Sequence, residues 1–252
     1  MADHSLNGKI VLIAGGAKNL GGLIARQLAA GGAAGIAVHY NSDATRTAAG
    51  ETVAALKAAG ADAIAIQGDL TQVAETVRLF DAAIAHFGRV DIAINTAGMV
   101  MKKPIAEATE ADYDRMFAVN AKAAYFFLRE AAKRLSDHGK LVTIATSLLA
   151  AFTGYYSLYE GSKATVEHFT RAAAKELGGR GISVNAVAPG PMDTPFFYPA
   201  ESDETVAYHT AASALGGLTD IADIAPLVRF LVTEGWWITG QTIFANGGYT
   251  TR

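Results

Sequence analysis

The chain is expected to fold as an α/β protein on one doubly wound parallel sheet, and three observations predict this. A continuous apolar, largely β-branched run, Ile10–Ala14, leads straight into a glycine-rich turn and then into a helical stripe. Short apolar runs then alternate with helical patterns along the rest of the chain, giving seven strands in all. Hydrophobic residues make up 51% of the sequence and charged residues 18%, the balance of a chain that buries a large core.

Taken in order, the run Ile10–Ala14 reads as a strand buried on both faces, as parallel sheets require. The helix that follows spans about 20–30, with Leu20, Ile24 and Leu28 on one stripe and Gly31-Gly32 ending it. A second strand at 36–40 completes a βαβ unit. Helix 44–59 stops at Gly60, strand 63–67 follows, and helix Val73–Phe87 stops at Gly88 before strand 90–94. Past a loop through Pro104, one long helix is expected over 110–136, then strand 141–145. A helix carrying Tyr159 runs to about 177, and strand 182–187 follows. A Pro- and aromatic-rich loop covers 189–218, a last helix 221–233, and a final strand Thr242–Ala245. Seven strands in this alternation predict a Rossmann-type sheet. No linker, repeat or change of composition divides residues 1–252, so a single domain is expected.

Composition excludes several functions. There are 21 Lys+Arg against 24 Asp+Glu and no basic run, so there is no electrostatic footprint for nucleic acid. The absence of cysteine removes disulfides, thiolate metal sites and cysteine nucleophiles. The six histidines are scattered without metal-ligand spacing, so no metal site is expected. Residues 1–9 lack the charged and apolar regions of a secretory signal, and no apolar run approaches the roughly 18 residues of a membrane span. A soluble, cytoplasmic protein is the expectation.

The turn Gly15-Gly16-Ala17-Lys18-Asn19-Leu20-Gly21 lies where a first strand meets a first helix. A helix start offers unpaired N–H groups and the positive end of its dipole, and glycines let a pyrophosphate approach that backbone. A tight turn with no ligand is the plainer reading of such a string; its position between strand and helix favours a dinucleotide site. Sites that select NAD place a carboxylate at the end of the second strand for the ribose hydroxyls. Here that position reads Tyr40-Asn41-Ser42, with no carboxylate before Asp43 and with Lys18 in the glycine turn. An amide, a hydroxyl and an ammonium suit a 2′-phosphate, so NADP(H) is preferred. Lys18 also reads as a solvated loop residue, and Asp43 could reach the ribose, which keeps NAD(H) open.

Tyr159 and Lys163 form Tyr-x-x-x-Lys, one turn apart on one helical face. A free phenol has a pKa of about 10; a neighbouring ammonium lowers it toward the working range of a general acid-base. Ser147 stands upstream at the end of an apolar run.

These motifs, in this order, resemble the short-chain dehydrogenase/reductase family in its common form of about 250 residues, and the resemblance covers nearly the whole chain. The family's Thr-Gly-x-x-x-Gly-x-Gly is met here as the stretch from Ala14 to Gly21, with Ala14 in place of Thr and Asn19 in place of the middle Gly. Asn tolerates left-handed backbone better than most residues, so the turn can survive. Asp69-Leu70 is similar to the adenine-contacting site. Asn95-Thr96-Ala97-Gly98 resembles Asn-Asn-Ala-Gly, with Thr96 for the second Asn. The stretch from Pro189 through Gly190, Met192 and Thr194 is similar to the loop that holds the nicotinamide carboxamide, and Asn246-Gly247-Gly248 to the closing Asp-Gly-Gly. The resemblance implies hydride transfer between a nicotinamide and a carbonyl or alcohol carbon. Tyr159 would be the acid-base and Lys163 would lower its pKa and hold the ribose. Ser147, twelve positions before Tyr159, would bind the substrate oxygen, with Thr146 as the fallback hydroxyl. Asn120 would order a water linking Lys163 to solvent.

A pocket lined from Met99, Val100, Leu148, Leu149, Phe152, Tyr155, Phe196, Phe197 and Tyr198 suits an apolar or aromatic ketone or aldehyde, although Lys102 and Lys103 are near. The segment after Pro195 is a candidate lid. Trp236-Trp237 is expected in the core or at a subunit contact. Alanine-rich helices around 118–135 and 164–177 allow close approach, and the family's habit of pairing them implies a homotetramer, with a dimer second. The alternatives are an NAD(H)-dependent secondary-alcohol dehydrogenase, a pteridine reductase, or a dinucleotide sensor without turnover. The sensor would be expected to lack Ser147, Tyr159 or Lys163.

Overall fold

The computed structural model describes residues 4–251. The expectation for the segment 1–9 therefore falls partly on residues 1–3, which lie outside the described residues. One seven-stranded sheet organises the rest, in the order β3-β2-β1-β4-β5-β6-β7, with every neighbour parallel. Its strands are β1 (Ile10–Ala14), β2 (Gly35–Tyr40), β3 (Asp62–Gln67), β4 (Val90–Asn95), β5 (Leu135–Ile144), β6 (Ser183–Pro189) and β7 (Thr242–Ala245).

Strand alternation sends side chains to two faces, and each face is covered by helices. Val11 and Ile13 of β1 join one core, closed by α1 (Asn19–Ala30), α2 (Arg46–Ala58) and α8 (Ile221–Val232). Leu12 and Ala14 join the other, closed by α3 (Val73–Phe87), α5 (Ala123–Arg134) and α6 (Ser157–Leu177). In that second core Phe80 of α3 meets Phe127 of α5 with ring centroids 5.1 Å apart, and both side chains are fully buried. The chain reverses its direction across the sheet between β1 and β4. A crevice opens beyond the carboxyl ends of those strands, where open α/β sheets bind ligands.

Three departures from the sequence expectation matter for the site. The expected helix 110–136 is two helices, α4 (Glu110–Phe117) and α5, joined by a π-helical turn at Ala118–Lys122 in which Ala118 C=O accepts from Ala123 N–H. The expected loop 189–218 contains a helix, α7 (Asp203–Ala212), started by a Ser202–Thr205 capping box. Of the two places expected for Trp236-Trp237, the core is excluded. Trp237 is 82% exposed and Trp236 stacks on His4 at 4.3 Å.

Truncating Phe127 to Ala empties the centre of the α3–α5 core. We expect a loss of about 3–5 kcal/mol in urea unfolding, the usual cost of deleting a buried phenylalanine. A loss below 1 kcal/mol would show that this core collapses to fill the space.

Candidate active site

The crevice begins at the turn after β1. Gly15 has φ +75°, and a Cβ there would stand 2.6 Å from Thr96 Oγ1. A Cβ on Gly21 would likewise strike the Gly15 carbonyl oxygen. Asn19 holds φ +49°, the left-handed conformation that an amide side chain tolerates. No side chain caps α1 and no acid occupies its first turn, so its leading N–H groups face the crevice unclaimed. Two of the motif departures meet here: Thr96 donates from both its N–H, at 2.9 Å, and its hydroxyl, at 2.8 Å, to the Ala14 carbonyl.

His39, read from sequence only as a strand residue, braces this turn. Its Nδ1 accepts from Gly15 N–H at 3.2 Å and its Nε2 lies 2.7 Å from the Gly68 carbonyl. A carbonyl only accepts and an N–H only donates, so the partners select the neutral tautomer protonated at Nε2. Burial lowers the His39 pKa, consistent with a ring held neutral.

Most of the expected cofactor residues line one crevice: Gly15, Lys18, Asn19, Leu20 and Gly21; Tyr40 and Asn41; Asp69 and Leu70; Ala97, Gly98, Met192 and Thr194, with Tyr159 and Lys163. Ser42 is not part of that lining; Thr45 is, and the Ser42 carbonyl instead accepts from the Thr45 hydroxyl at 3.0 Å. Asn95 is buried and supports the wall, its Oδ1 accepting from Ala97 N–H at 3.0 Å. Asp43 is engaged by Arg46 at 2.5 Å, and Arg46 also donates to Gln67 at 3.0 Å. Residues of α4, Ala111, Asp114 and Arg115, complete the far wall and had no signal in the sequence beyond lying on a helix.

At the inner end the crevice meets a smaller pocket, and Tyr159 lines both. Val100, Leu148, Phe196 and Phe197 line this pocket as expected, joined by Tyr156, Met192 and His209. Pro189 and Gly190 lie here rather than in the crevice. Met99 faces the crevice instead. Leu149, Phe152, Tyr155 and Tyr198 are not in the lining. Phe152 and Tyr155 point outward, and the Tyr198 hydroxyl donates to Asp193 at 2.6 Å. Lys102 does not present a free charge: it pairs at 2.5 Å with Glu201, whose side chain is fully buried.

Around Tyr159 the groups are tightly held. Lys163 Nζ donates to the Ile144 carbonyl at 2.8 Å, and burial pushes its pKa down to about 8. Burial pushes the Tyr159 phenol up to about 12, with the Thr146 hydroxyl pulling the other way. Asn120, in the π turn, accepts from Met99 N–H at 2.9 Å and donates to the Met99 carbonyl at 2.9 Å and to Ser162 Oγ at 3.0 Å. Among the hydroxyls buried without a hydrogen-bond partner, Ser147 Oγ and Thr194 Oγ1 lie at this site.

Comparison with known proteins bears on this geometry. Residues 15–250 match the family model described as enoyl-(acyl carrier protein) reductase. The short chain dehydrogenase/reductase AacuN of Aspergillus aculeatus is 36% identical, over 98% of this chain and 97% of its own. This chain belongs to the short-chain dehydrogenase/reductase family. Another relative within it, the hydroxynaphthalene reductase-like protein Arp2 of Metarhizium brunneum, is 38% identical over 98% of this chain and 97% of its own. A solved structure of a putative dehydrogenase from Burkholderia cenocepacia with bound NADP superposes with a TM-score of 0.99. It is 64% identical and covers 100% of this chain and 97% of that one. A blue fluorescent protein from a metagenomic library, in complex with NADPH, gives a TM-score of 0.92 at 34% identity, covering 98% of this chain and 100% of that one. As a member of the family, the short-chain dehydrogenase/reductase described here is an oxidoreductase.

Neutral His39 also sets a pH dependence. Its folded pKa lies below the ordinary 6.5, so the unfolded chain binds more protons as pH falls through that value. Stability from this group is present above pH 6.5 and declines below it, by up to about 1.4 kcal/mol per pH unit. The fall in stability between pH 7.5 and 5.5, measured by urea unfolding, should be steeper for the wild type than for His39→Leu. Equal slopes would remove His39 from the account.

Proposed function

We propose that this short-chain dehydrogenase/reductase reduces a ketone or aldehyde to an alcohol, reversibly, with NADP(H) and with Tyr159 as general acid. The position of Tyr159 carries this reading: one phenol bounds both a dinucleotide-sized crevice and an apolar pocket. The crevice fits the cofactor on its own features: a cradle that any Cβ at Gly15 or Gly21 would fill, the uncapped start of α1, and the partnerless Thr194 hydroxyl. Gly15, Asn19, Leu20 and Gly21 would hold the pyrophosphate, and Asp69 and Leu70 the adenine. Asn95, Ala97 and Gly98 would wall the ribose side, while Pro189, Gly190, Met192 and Thr194 would hold the carboxamide. Lys18, Tyr40 and Asn41 would surround the 2′-phosphate. No carboxylate competes there, since Asp43 is taken by Arg46. Relatives solved with NADP and NADPH support the same choice. When bound, the nicotinamide supplies the hydride chemistry.

The chain's own groups handle the proton. A phenol raised to about 12 is protonated at neutral pH, the form needed to donate to a developing alkoxide. Lys163, fixed by the Ile144 carbonyl, places a cation beneath it and faces the ribose. Ser147, with its neighbour Thr146, supplies hydroxyl chemistry for the substrate oxygen. Asn120 secures the segment 98–99 against Lys163 and is our candidate for the proton path to solvent. The apolar lining and the neutralised Lys102 favour an uncharged, apolar or aromatic carbonyl compound. We further propose a cytoplasmic homotetramer. Among the described residues no helix is long and apolar enough to cross a membrane. The outer face of α5 and α6 carries Tyr125 against Phe169 at 5.1 Å, with Tyr125 44% exposed.

A panel of ketones and aldehydes, followed by loss of NADPH absorbance, should give turnover faster with NADPH than with NADH. Tyr159→Phe should lower kcat at least ~100-fold while NADPH still quenches tryptophan fluorescence at the wild-type affinity. Wild-type turnover by that variant would remove Tyr159 from the mechanism.

Light scattering at micromolar concentration should give the mass of four chains, and Tyr125→Glu should lower it. A monomeric wild type would refute the assembly.

A further inference from the structure

His39 lies on β2, which runs between β1 and β3 in the sheet, and its ring reaches the turn that follows each of those neighbours. The residue is buried and lines the crevice. Its Nδ1 accepts from Gly15 N–H at 3.2 Å, in the turn after β1. Its Nε2 donates to the Gly68 carbonyl at 2.7 Å, in the turn after β3. Gly68 N–H in turn donates to the Tyr40 carbonyl at 3.0 Å. Asp69, the next residue, accepts from the Thr71 N–H at 3.0 Å and from the Thr71 hydroxyl at 2.8 Å. One imidazole therefore joins the turn assigned above to the pyrophosphate with the turn assigned to the adenine, and it belongs to neither motif.

A neutral imidazole has one donor and one acceptor, and here both are used. Protonation puts a second N–H at Nδ1, where it faces the Gly15 N–H with no lone pair between them. Gly15 has little room to adjust, since it packs so closely on Thr96 that a Cβ would stand 2.6 Å from the hydroxyl oxygen. The charged groups that act on the ring are Arg78 and Glu75 of α3 and Asp69 in the turn after β3. Arg78 opposes a cation there, while Asp69 and Glu75 favour one. Glu75 is already paired with Arg78 at 2.5 Å, and burial is the largest influence, so the ring is neutral at pH 7.5 and takes its proton only below the ordinary 6.5.

We propose that His39 is a positioning residue for the cofactor: its neutral ring, protonated at Nε2, holds the Gly15 turn in the shape that receives the pyrophosphate, and protonation at Nδ1 releases that turn, so that affinity for NADP(H) falls as the pH falls. The proposal rests on the cofactor reading above. His39 acts through the Gly15 N–H and the Gly68 carbonyl. The coupling is reciprocal: a dinucleotide that binds the neutral form more tightly makes the ring harder to protonate by the same factor.

Calorimetric titration with NADP⁺ tests the assignment and needs no turnover. His39→Leu loses both bonds and should raise Kd ~tenfold or more at pH 7.5. His39→Asn keeps an acceptor for the Gly15 N–H and does not titrate, so it should bind within ~threefold of the wild type at that pH. Between pH 7.5 and 5.0 the wild-type Kd should rise ~threefold or more beyond the rise in His39→Asn, one proton setting a ceiling of about tenfold per pH unit. The 2′-phosphate titrates in both proteins and cancels in that comparison. Parallel pH profiles for the wild type and His39→Asn, or wild-type affinity in His39→Leu, would overturn the proposal. So would an affinity that rises in acid in the wild type alone, which would make His39 a cation serving the phosphates. If His39→Leu does not fold, the comparison with His39→Asn decides by itself. In protein labelled with ¹⁵N-histidine, the His39 ring, identified by its absence in His39→Asn, should show a bare Nδ1 and a protonated Nε2 at pH 7.5; the reverse tautomer counts against the proposal. Each of these failures leaves the cofactor reading intact, because NADP⁺ still binds. A wild type that binds no dinucleotide at pH 7.5 ends that reading and this proposal together.

Discussion

The site depends on the close approach of three chain segments at Gly15. The end of β1, the start of α1 and the end of β4 come together there at distances that leave no room for a Cβ on Gly15 or Gly21. Thr96 fastens β4 to β1 by two bonds to the Ala14 carbonyl, and His39 fastens the turn to the segment after β3. The N–H groups of α1 are thereby held open toward the crevice rather than folded onto a cap. The same crossing point of the sheet fixes where β5 ends, and hence where Thr146, Ser147 and the Ile144 carbonyl stand beside α6. The glycine turn and the surroundings of Tyr159 are consequences of one packing constraint.

Burial acts on Tyr159 and Lys163 in opposite directions. It raises the phenol and lowers the ammonium, because each loses its charged form less readily to water than to a low-dielectric interior. The two groups are therefore driven apart, with the phenol pushed up to about 12 and the ammonium down to about 8.

Much of this was legible in the sequence. All seven strands were visible as apolar runs; β1, β2, β4 and β6 are buried along their whole length and so have no alternation to disguise them. The motif residues around Gly15, Asn19, Tyr159 and Lys163 fell where the crevice lies. What was missed has physical reasons. The π turn at Ala118–Lys122 adds one residue to a turn without interrupting a helix-forming composition, so the sequence reads through it. Helix α7 buries only His209 and so shows no apolar stripe to betray it. The role of His39 requires knowing that two glycines, Gly15 and Gly68, converge on one imidazole from distant parts of the chain.

The polar groups behind His209, which lines the pocket, bear on what may enter. Lys102, the stretch carrying Glu201 and His209, and Tyr249 come from three separate segments and meet there, with the Tyr249 hydroxyl 2.9 Å from His209 Nδ1 and His209 Nε2 3.6 Å from Glu201. Burial lowers the His209 pKa, so the ring is held neutral and the cluster carries one cation against one anion. A buried pair of this kind contributes little net stability, but breaking it would leave an uncompensated charge. A substrate carboxylate would have to take Lys102 from Glu201 and strand a buried carboxylate in doing so. An uncharged carbonyl compound disturbs nothing. The pairing of Lys102 with Glu201 therefore supports an apolar substrate more strongly than the aromatic lining does, because apolar walls admit many ligands whereas a neutralised cation rejects a particular one.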